Sequence, residues 1–232
     1  MKNNFTRGIT DGIPIALGYL SVSFAFGIFA VSSGISPLHT LLISMTNLTS
    51  AGQLAAVPII ASGGTVLELI LSQLVINLRY ALMSVSLSQK LDKTISLLDR
   101  FLIAFGNTDE VFAVASSYKS VSRNYMFGLI LAPYIGWSFG TLLGALAGNI
   151  LSAVLVSALG IMIYGMFIAI VVPVAREEKP VLWCVIISAV LSLAFNFLPI
   201  LKEIPSGFII IICALIASAV MAAVSPIKEE TA

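Results

Sequence analysis

Apolar stretches of about 18 residues or more recur along this chain, and they constrain its fold more than any other feature. A helix needs roughly 20 such residues to cross a hydrocarbon layer about 30 Å thick. Of the 232 residues, 59% are hydrophobic and 10% charged, with a mean hydropathy of +1.06. An average soluble domain is roughly 45–50% apolar and about 25% charged. No soluble interior is large enough for so much apolar surface, so the sequence reads as an all-α polytopic membrane protein. Positive charge precedes the first apolar stretch, as in a secretory signal, but Asp11, Gly12 and Pro14 interrupt that junction, which reads better as the start of a first helix. Without an extended linker or low-complexity tract, residues 1–232 are expected to form a single transmembrane transporter domain.

Proline and glycine divide the chain into about eight segments, near residues 12–32, 38–61, 66–88, 101–118, 125–147, 151–174, 180–199 and 205–225. Lysine and arginine set their orientation, because they are retained on the cytoplasmic side of short loops. If every segment crosses, Lys90, Lys93, Arg100 and Lys202 lie outside, and Lys2, Arg7, Lys119, Arg123, Arg176, Lys179 and Lys228 lie inside. If segments 38–61 and 101–118 instead dip in and return, only Lys202 is outside. Both arrangements leave the two termini in the cytoplasm, and the charge distribution favours the second, with these two segments broken or re-entrant.

Polar residues single out the same two segments. The second carries Thr46, Asn47, Thr49, Ser50, Gly52 and Gln53, too closely spaced for one helical face. The fourth carries Gly106, Asn107, Thr108, Asp109 and Glu110 in a chain with few charges. Irregular polar backbone at membrane depth is tolerated only against protein or water, so both stretches are candidates for a substrate path. Asn77 and Arg79 of the third segment join them, with Arg79 either snorkelling towards the interface or pairing with Asp109 or Glu110. Because Asp109 and Glu110 are adjacent, their side chains diverge by about 100° on a regular helix, so one carboxylate can face a path while the other meets a helix end or water.

Other features read as packing. Gly136, Gly140, Gly144 and Gly148 form a smooth stripe suited to close helix contact, within the chain or against a second subunit. A weaker stripe of Ala214, Ser218 and Ala222 follows in the last segment, and Pro133 is expected to kink the fifth. Cys184 and Cys213 lie in apolar segments, where unpaired cysteines pack as small hydrophobes. The net charge of +1 without a basic cluster gives no reason to expect a nucleic-acid partner.

Enzyme signatures are missing from the sequence. His39 is the only histidine, so an H-E-x-x-H metal site is impossible; no metal or other cofactor is expected. No phosphate-binding G-x-x-x-x-G-K-[ST] loop occurs, and an intramembrane pair of catalytic aspartates is unavailable. A transporter, a non-transporting membrane scaffold or assembly subunit, and an unrecognised intramembrane enzyme remain as readings, and the first suits the polar segments best.

Over roughly residues 5–226 the chain resembles the AzlC family, the large subunits of two-component branched-chain amino acid exporters. The matching stretches are GIPIALGYLSVSFAFG in the first segment, TSAGQLAA in the second, NLRYALMS in the third, TDEVFA in the fourth and YGMFIAIVVP in the sixth. The resemblance implies a permease that exports valine, leucine, isoleucine and methionine from a bacterial cell across its plasma membrane, by secondary and proton-coupled transport. It also implies a small hydrophobic AzlD-type partner subunit and possible oligomers. Gly52, Gln53, Asn77, Arg79, Thr108, Asp109 and Glu110 are the matched residues it marks as functional. The chain departs from the pattern at Leu54, where many relatives have an aromatic residue, and across Leu159–Met162, where many have an acidic one. The residues add an expectation of their own: backbone N–H groups near Ser50 to Gln53 meet a substrate carboxylate, and Asp109 or Glu110 meets its ammonium or a coupling proton.

Overall fold

The computed structural model describes residues 4–148, 171–198 and 204–225, together with Val154, Gly165 and Ile168. Nine helices are assigned among them: α1 (Phe5–Ser32), α2 (Pro37–Thr46), α3 (Ser50–Ala61), α4 (Val66–Ser88), α5 (Leu97–Phe105), α6 (Asp109–Ser116), α7 (Arg123–Ala147), α8 (Lys179–Phe197) and α9 (Ser206–Val224). Residues 171–177 are helical as well. Most of segment 151–174, including the departure at Leu159–Met162 and half of YGMFIAIVVP, lies outside the described residues. Five helices (α1, α4, α7, α8 and α9) are long and apolar enough to cross a membrane.

Segments 38–61 and 101–118 are both broken. The first becomes α2 and α3, separated by residues 47–49, and the second becomes α5 and α6, separated by residues 106–108. Two boundaries differ from the sequence reading. Asn4 accepts a hydrogen bond from the Arg7 N–H and starts α1 at Phe5, bringing Asp11 inside the helix. Ser96 caps α5 through the Asp99 N–H, so the fourth segment starts four residues early. Apolar runs locate a span, but a polar cap several residues upstream decides where its helix begins.

Glycine holds the centre together. A Cβ added at Gly136 would lie 2.6 Å from the Ala16 carbonyl oxygen, and one at Gly140 would lie 2.5 Å from that of Leu20. From the other side, a Cβ on Gly12 would lie 2.9 Å from the Leu129 carbonyl oxygen. Gly8, Gly27, Gly128 and Gly144 also abut backbone of the facing helix. The stripe therefore packs within the chain, α1 against α7, and glycines of both helices form the seam. Gly148, at its end, sits more loosely, and a Cβ added there would lie 3.5 Å from the Ile28 Cα. Facing residues rise together, Gly12 with Leu129, Ala16 with Gly136 and Phe24 with Gly144, so α1 and α7 run parallel.

Each broken segment returns to the end of the bundle at which it started. Val57 of α3 packs with Phe26, Ala30 and Ile35, the end of α1 and the approach to α2, so α2 and α3 form a hairpin open at that end. Gly34 (φ 90) and Gly63 (φ 71) turn the chain there in left-handed conformations that favour glycine. At the opposite end, Leu87 and Leu91 pack with Ala115 of α6 and with Val121 and Tyr125 at the start of α7. Backbone bonds between Asp92 and Val121 (3.1 Å) and between Val121 and Lys90 (2.9 Å) tie the two loops, and Arg123 meets Asp99 at 2.8 Å. In the first of these loops the backbone N–H and hydroxyl of Thr94 hold the Asp92 carboxyl below its ordinary range. A long helix followed by a broken hairpin thus occurs twice, in opposite orientations, over α1–α3 and α4–α6, as in transporters built from inverted repeats.

Two measurements check this architecture. Gly140→Val should lower stability by about 1–3 kcal/mol through overpacking, read as earlier thermal unfolding in detergent, while Gly148→Ala leaves it nearly unchanged. Cysteines at Lys93 and Lys119 should react with an impermeant thiol reagent from the same face of the membrane; reaction from opposite faces would contradict a returning fourth segment.

Candidate substrate site

The chain leaves helical geometry at the first break, and side-chain amides of α3 itself and of α4 bond its backbone there. Thr49 caps α3, accepting from the Gly52 N–H at 3.3 Å, and its hydroxyl donates to Asn77 Oδ1 at 2.9 Å. Gln73 of α4 donates to the Gly52 carbonyl at 2.8 Å, and its own oxygen accepts from Asn47 and Asn77, each at 3.2 Å. Gln53, fully buried, donates to the Asn47 carbonyl and accepts from Trp137 Nε1 and Ser44, each at 3.3 Å. Ser44 in turn bonds Thr141 at 2.7 Å, which fastens the break to α7. Gly52 has no room for a side chain, since a Cβ there would lie 2.5 Å from Gln73 Oε1 and 2.8 Å from Thr49 Cγ2.

The second break is simpler. Thr108 caps α6 through the Val111 N–H at 3.5 Å, and buried Asn107 donates to Ser84 of α4 at 3.2 Å. Behind both breaks α4 keeps two faces. Leu67, Ile70, Leu74, Leu78 and Leu82 are exposed, whereas Glu68, Ser72, Gln73, Asn77, Tyr80 and Ser84 turn inward. That inward polar stripe is legible as helical spacing and leads to Gln73, Tyr80 and Glu68, none of them among the sequence candidates. Glu68 is 3% exposed and accepts from the Gly207 N–H at 2.8 Å, joining the start of α9 to the start of α4.

The starts of α3 and α6 converge on a cavity of about 460 Å³. Ser50 and Ala51 line it from α3, Thr108, Asp109 and Glu110 from α6, and Arg79 and Tyr80 from α4. Ile15, Val22, Ile76 and Trp137 supply apolar walls. Arg79 Nη2 lies 2.9 Å from Asp109 Oδ2, with both side chains about half exposed (47% and 45%), so the pair forms at the cavity rather than in a sealed core. Arg79 also donates to the Tyr80 hydroxyl at 3.1 Å and lies over its ring. The Tyr19 hydroxyl donates to Glu110, and the Tyr19 ring meets Trp137 edge-on with centroids 5.2 Å apart. Both carboxylates face one cavity because they occupy the first turn of a short helix whose start points into it.

The sequence candidates therefore separate. Ser50, Arg79, Thr108, Asp109 and Glu110 line the large cavity. Asn47, Asn77 and Asn107 line a smaller one. Gly52 and Gln53 sit behind the wall, holding the first break in shape. Two helix starts offer N–H groups and positive dipole ends, suited to an anionic group, beside an arginine, two carboxylates and aliphatic walls. Such a site can take a small zwitterion with an apolar side chain.

Helices that span the bilayer, two inverted broken hairpins and a polar cavity at their meeting point define a multi-pass membrane protein with an internal ligand-sized site. The family described as AzlC protein matches residues 14–151, more than half of the chain, and the chain belongs to that family. The inner membrane protein YgaZ of Escherichia coli strain K12 is 30% identical over 198 residues, covering 82% of this chain and 80% of the relative. An uncharacterized membrane protein of Archaeoglobus fulgidus is 33% identical over 171 residues, or 73% and 75% of the two chains. The branched-chain amino acid transport protein AzlC of Bacillus subtilis is 24% identical over 141 residues, or 59% and 55%. No solved structure matches the chain.

Gln53→Leu should act as a structural lesion, since it strands buried partners at about 1–3 kcal/mol each. The expected result is a lower unfolding temperature in detergent, with an equal loss whether or not leucine is present.

Proposed function

We propose that this protein is the large subunit of a secondary transporter that exports branched-chain amino acids, valine, leucine and isoleucine, with methionine as a further substrate. The cavity at the meeting of two half-helix starts carries this reading. Its volume of about 460 Å³ falls within the roughly 300–1,000 Å³ usual for small-ligand sites. The substrate carboxylate meets the N–H groups of Ser50 and Ala51 at the start of α3, close to Arg79, and its aliphatic side chain lies against Ile15, Val22, Ile76 and Trp137. Glu110 meets the ammonium or carries the coupling proton, while Asp109 is engaged by Arg79. No bond in the substrate is made or broken.

The Bacillus subtilis relative, named for branched-chain amino acid transport, supports this choice of substrate. The family resemblance supports a small hydrophobic AzlD-type partner and a bacterial plasma membrane location. The returning hairpins bring Lys90, Lys93 and Arg100 to the end of the bundle that holds Arg7, Lys119 and Arg123, which supports a cytoplasmic N-terminus.

The test is counterflow of labelled leucine in proteoliposomes that contain the chain and its partner. Glu110→Gln should weaken leucine exchange if Glu110 meets the ammonium, and keep exchange but lose its pH dependence if Glu110 carries the coupling proton, whereas Asp109→Asn should weaken exchange by leaving Arg79 without its carboxylate. Parental transport with parental pH dependence in both variants would rule out the carboxylate roles, and no leucine counterflow in the unaltered protein would rule out the substrate.

A further inference from the structure

Beside the large cavity lies a second, of about 160 Å³, lined by Thr46, Asn47, Asn77, Ala104, Phe105 and Asn107, with Thr49 at its edge. Leu48 and Tyr80 line both cavities. The two spaces differ in polarity for a reason built into the hairpins. α3 and α6 begin at the larger cavity, whereas α2 and α5 end at the smaller one. Helix starts favour negative groups and helix ends favour positive ones. The amide side chains of Asn47, Asn77 and Asn107 add polar surface to the second space.

We infer that the two cavities are successive chambers of one path, and that Leu48 and Tyr80 are the partition between them. The second chamber, about a third the size of the first, receives the ammonium end of the same amino acid as it leaves the helix starts of the first. Leu48, 7% exposed, supplies an apolar plug at the first break. Tyr80 supplies a ring held by Arg79 through its hydroxyl and its face. Arg79 also holds Asp109, so the side chain that fixes one half of the partition reports directly on the first turn of α6. This inference rests on the larger cavity being the substrate site.

Thiol accessibility tests it in the full chain, reconstituted with Cys184 and Cys213 changed to serine. Val22→Cys reports on the larger chamber and Thr46→Cys on the smaller. The probe is the impermeant reagent sulfonatoethyl methanethiosulfonate, applied to one face at a time. With the partition intact, the two reporters should react from different faces. Leu48→Ala or Tyr80→Ala should abolish that sidedness, and Tyr80→Phe, which keeps the ring, should preserve it. The inference is overturned if Thr46→Cys in the parent already reacts from the face that reaches Val22→Cys. It is equally overturned if both alanine variants keep the parental sidedness, or if Thr46→Cys reacts only with a lipid-permeant reagent. Protection of Val22→Cys by leucine is scored separately: its failure with sidedness intact would count against the substrate site and leave the partition standing.

Discussion

A broken helix inside a membrane is possible only where protein or the water of a cavity completes its backbone hydrogen bonds, and the rest of this structure depends on how protein groups do so at the first break. Gln73 and Gln53 reach the first break from opposite sides, one from α4 and the other from α3 itself, where it is braced by Trp137 of α7. The amides make no use of charge, so their cost of burial is modest once each is paired. At the cavity, by contrast, Arg79, Asp109 and Glu110 face space instead of packed side chains. Break and cavity thus differ in chemistry: neutral amides hold the first break in shape, and ionisable side chains line the cavity.

This separation explains how much was legible in the sequence. The breaks near Thr49 and Thr108 were visible because threonine, asparagine and glycine cluster where apolar residues are expected, and the loop charges indicated that both segments return. Adjacent Asp109 and Glu110 were visible as acids in an apolar setting. That both would line one cavity was not, because side chains diverging by about 100° share a space only where the helix start itself opens into it, as α6 does, and sequence does not show where a helix start points. Gln53 and Gly52 were legible as important but not as structural, since sequence shows that a polar residue needs a partner without showing whether the partner is a ligand or a backbone carbonyl. Gln73 and Tyr80 are less legible because each stands singly among apolar residues, and only the helical spacing of α4 gathers them on one inward face.

The inverted pairing of α1–α3 with α4–α6 gives the cavity its two equivalent helix starts. Each starts after a threonine cap, Thr49 in one and Thr108 in the other, and each is preceded by an asparagine, Asn47 or Asn107. The equivalence stops at the first turn. Ser50 and Ala51 leave the α3 start uncharged, whereas Asp109 and Glu110 put carboxylates on the α6 start. A symmetric backbone thus presents one uncharged helix start and one acidic helix start to the same cavity.

The glycine seam between α1 and α7 has a mechanical consequence. Where two backbones touch without side chains between them, no rotamer change can absorb a small displacement, and a slip of one residue drives side chains into the opposing carbonyls. The next permitted position is a whole repeat away, about 6 Å along the axis at 1.5 Å per residue. The pair thus behaves as a notched rail with widely spaced stops. Any movement of the bundle that keeps this contact therefore leaves α1 and α7 as one body.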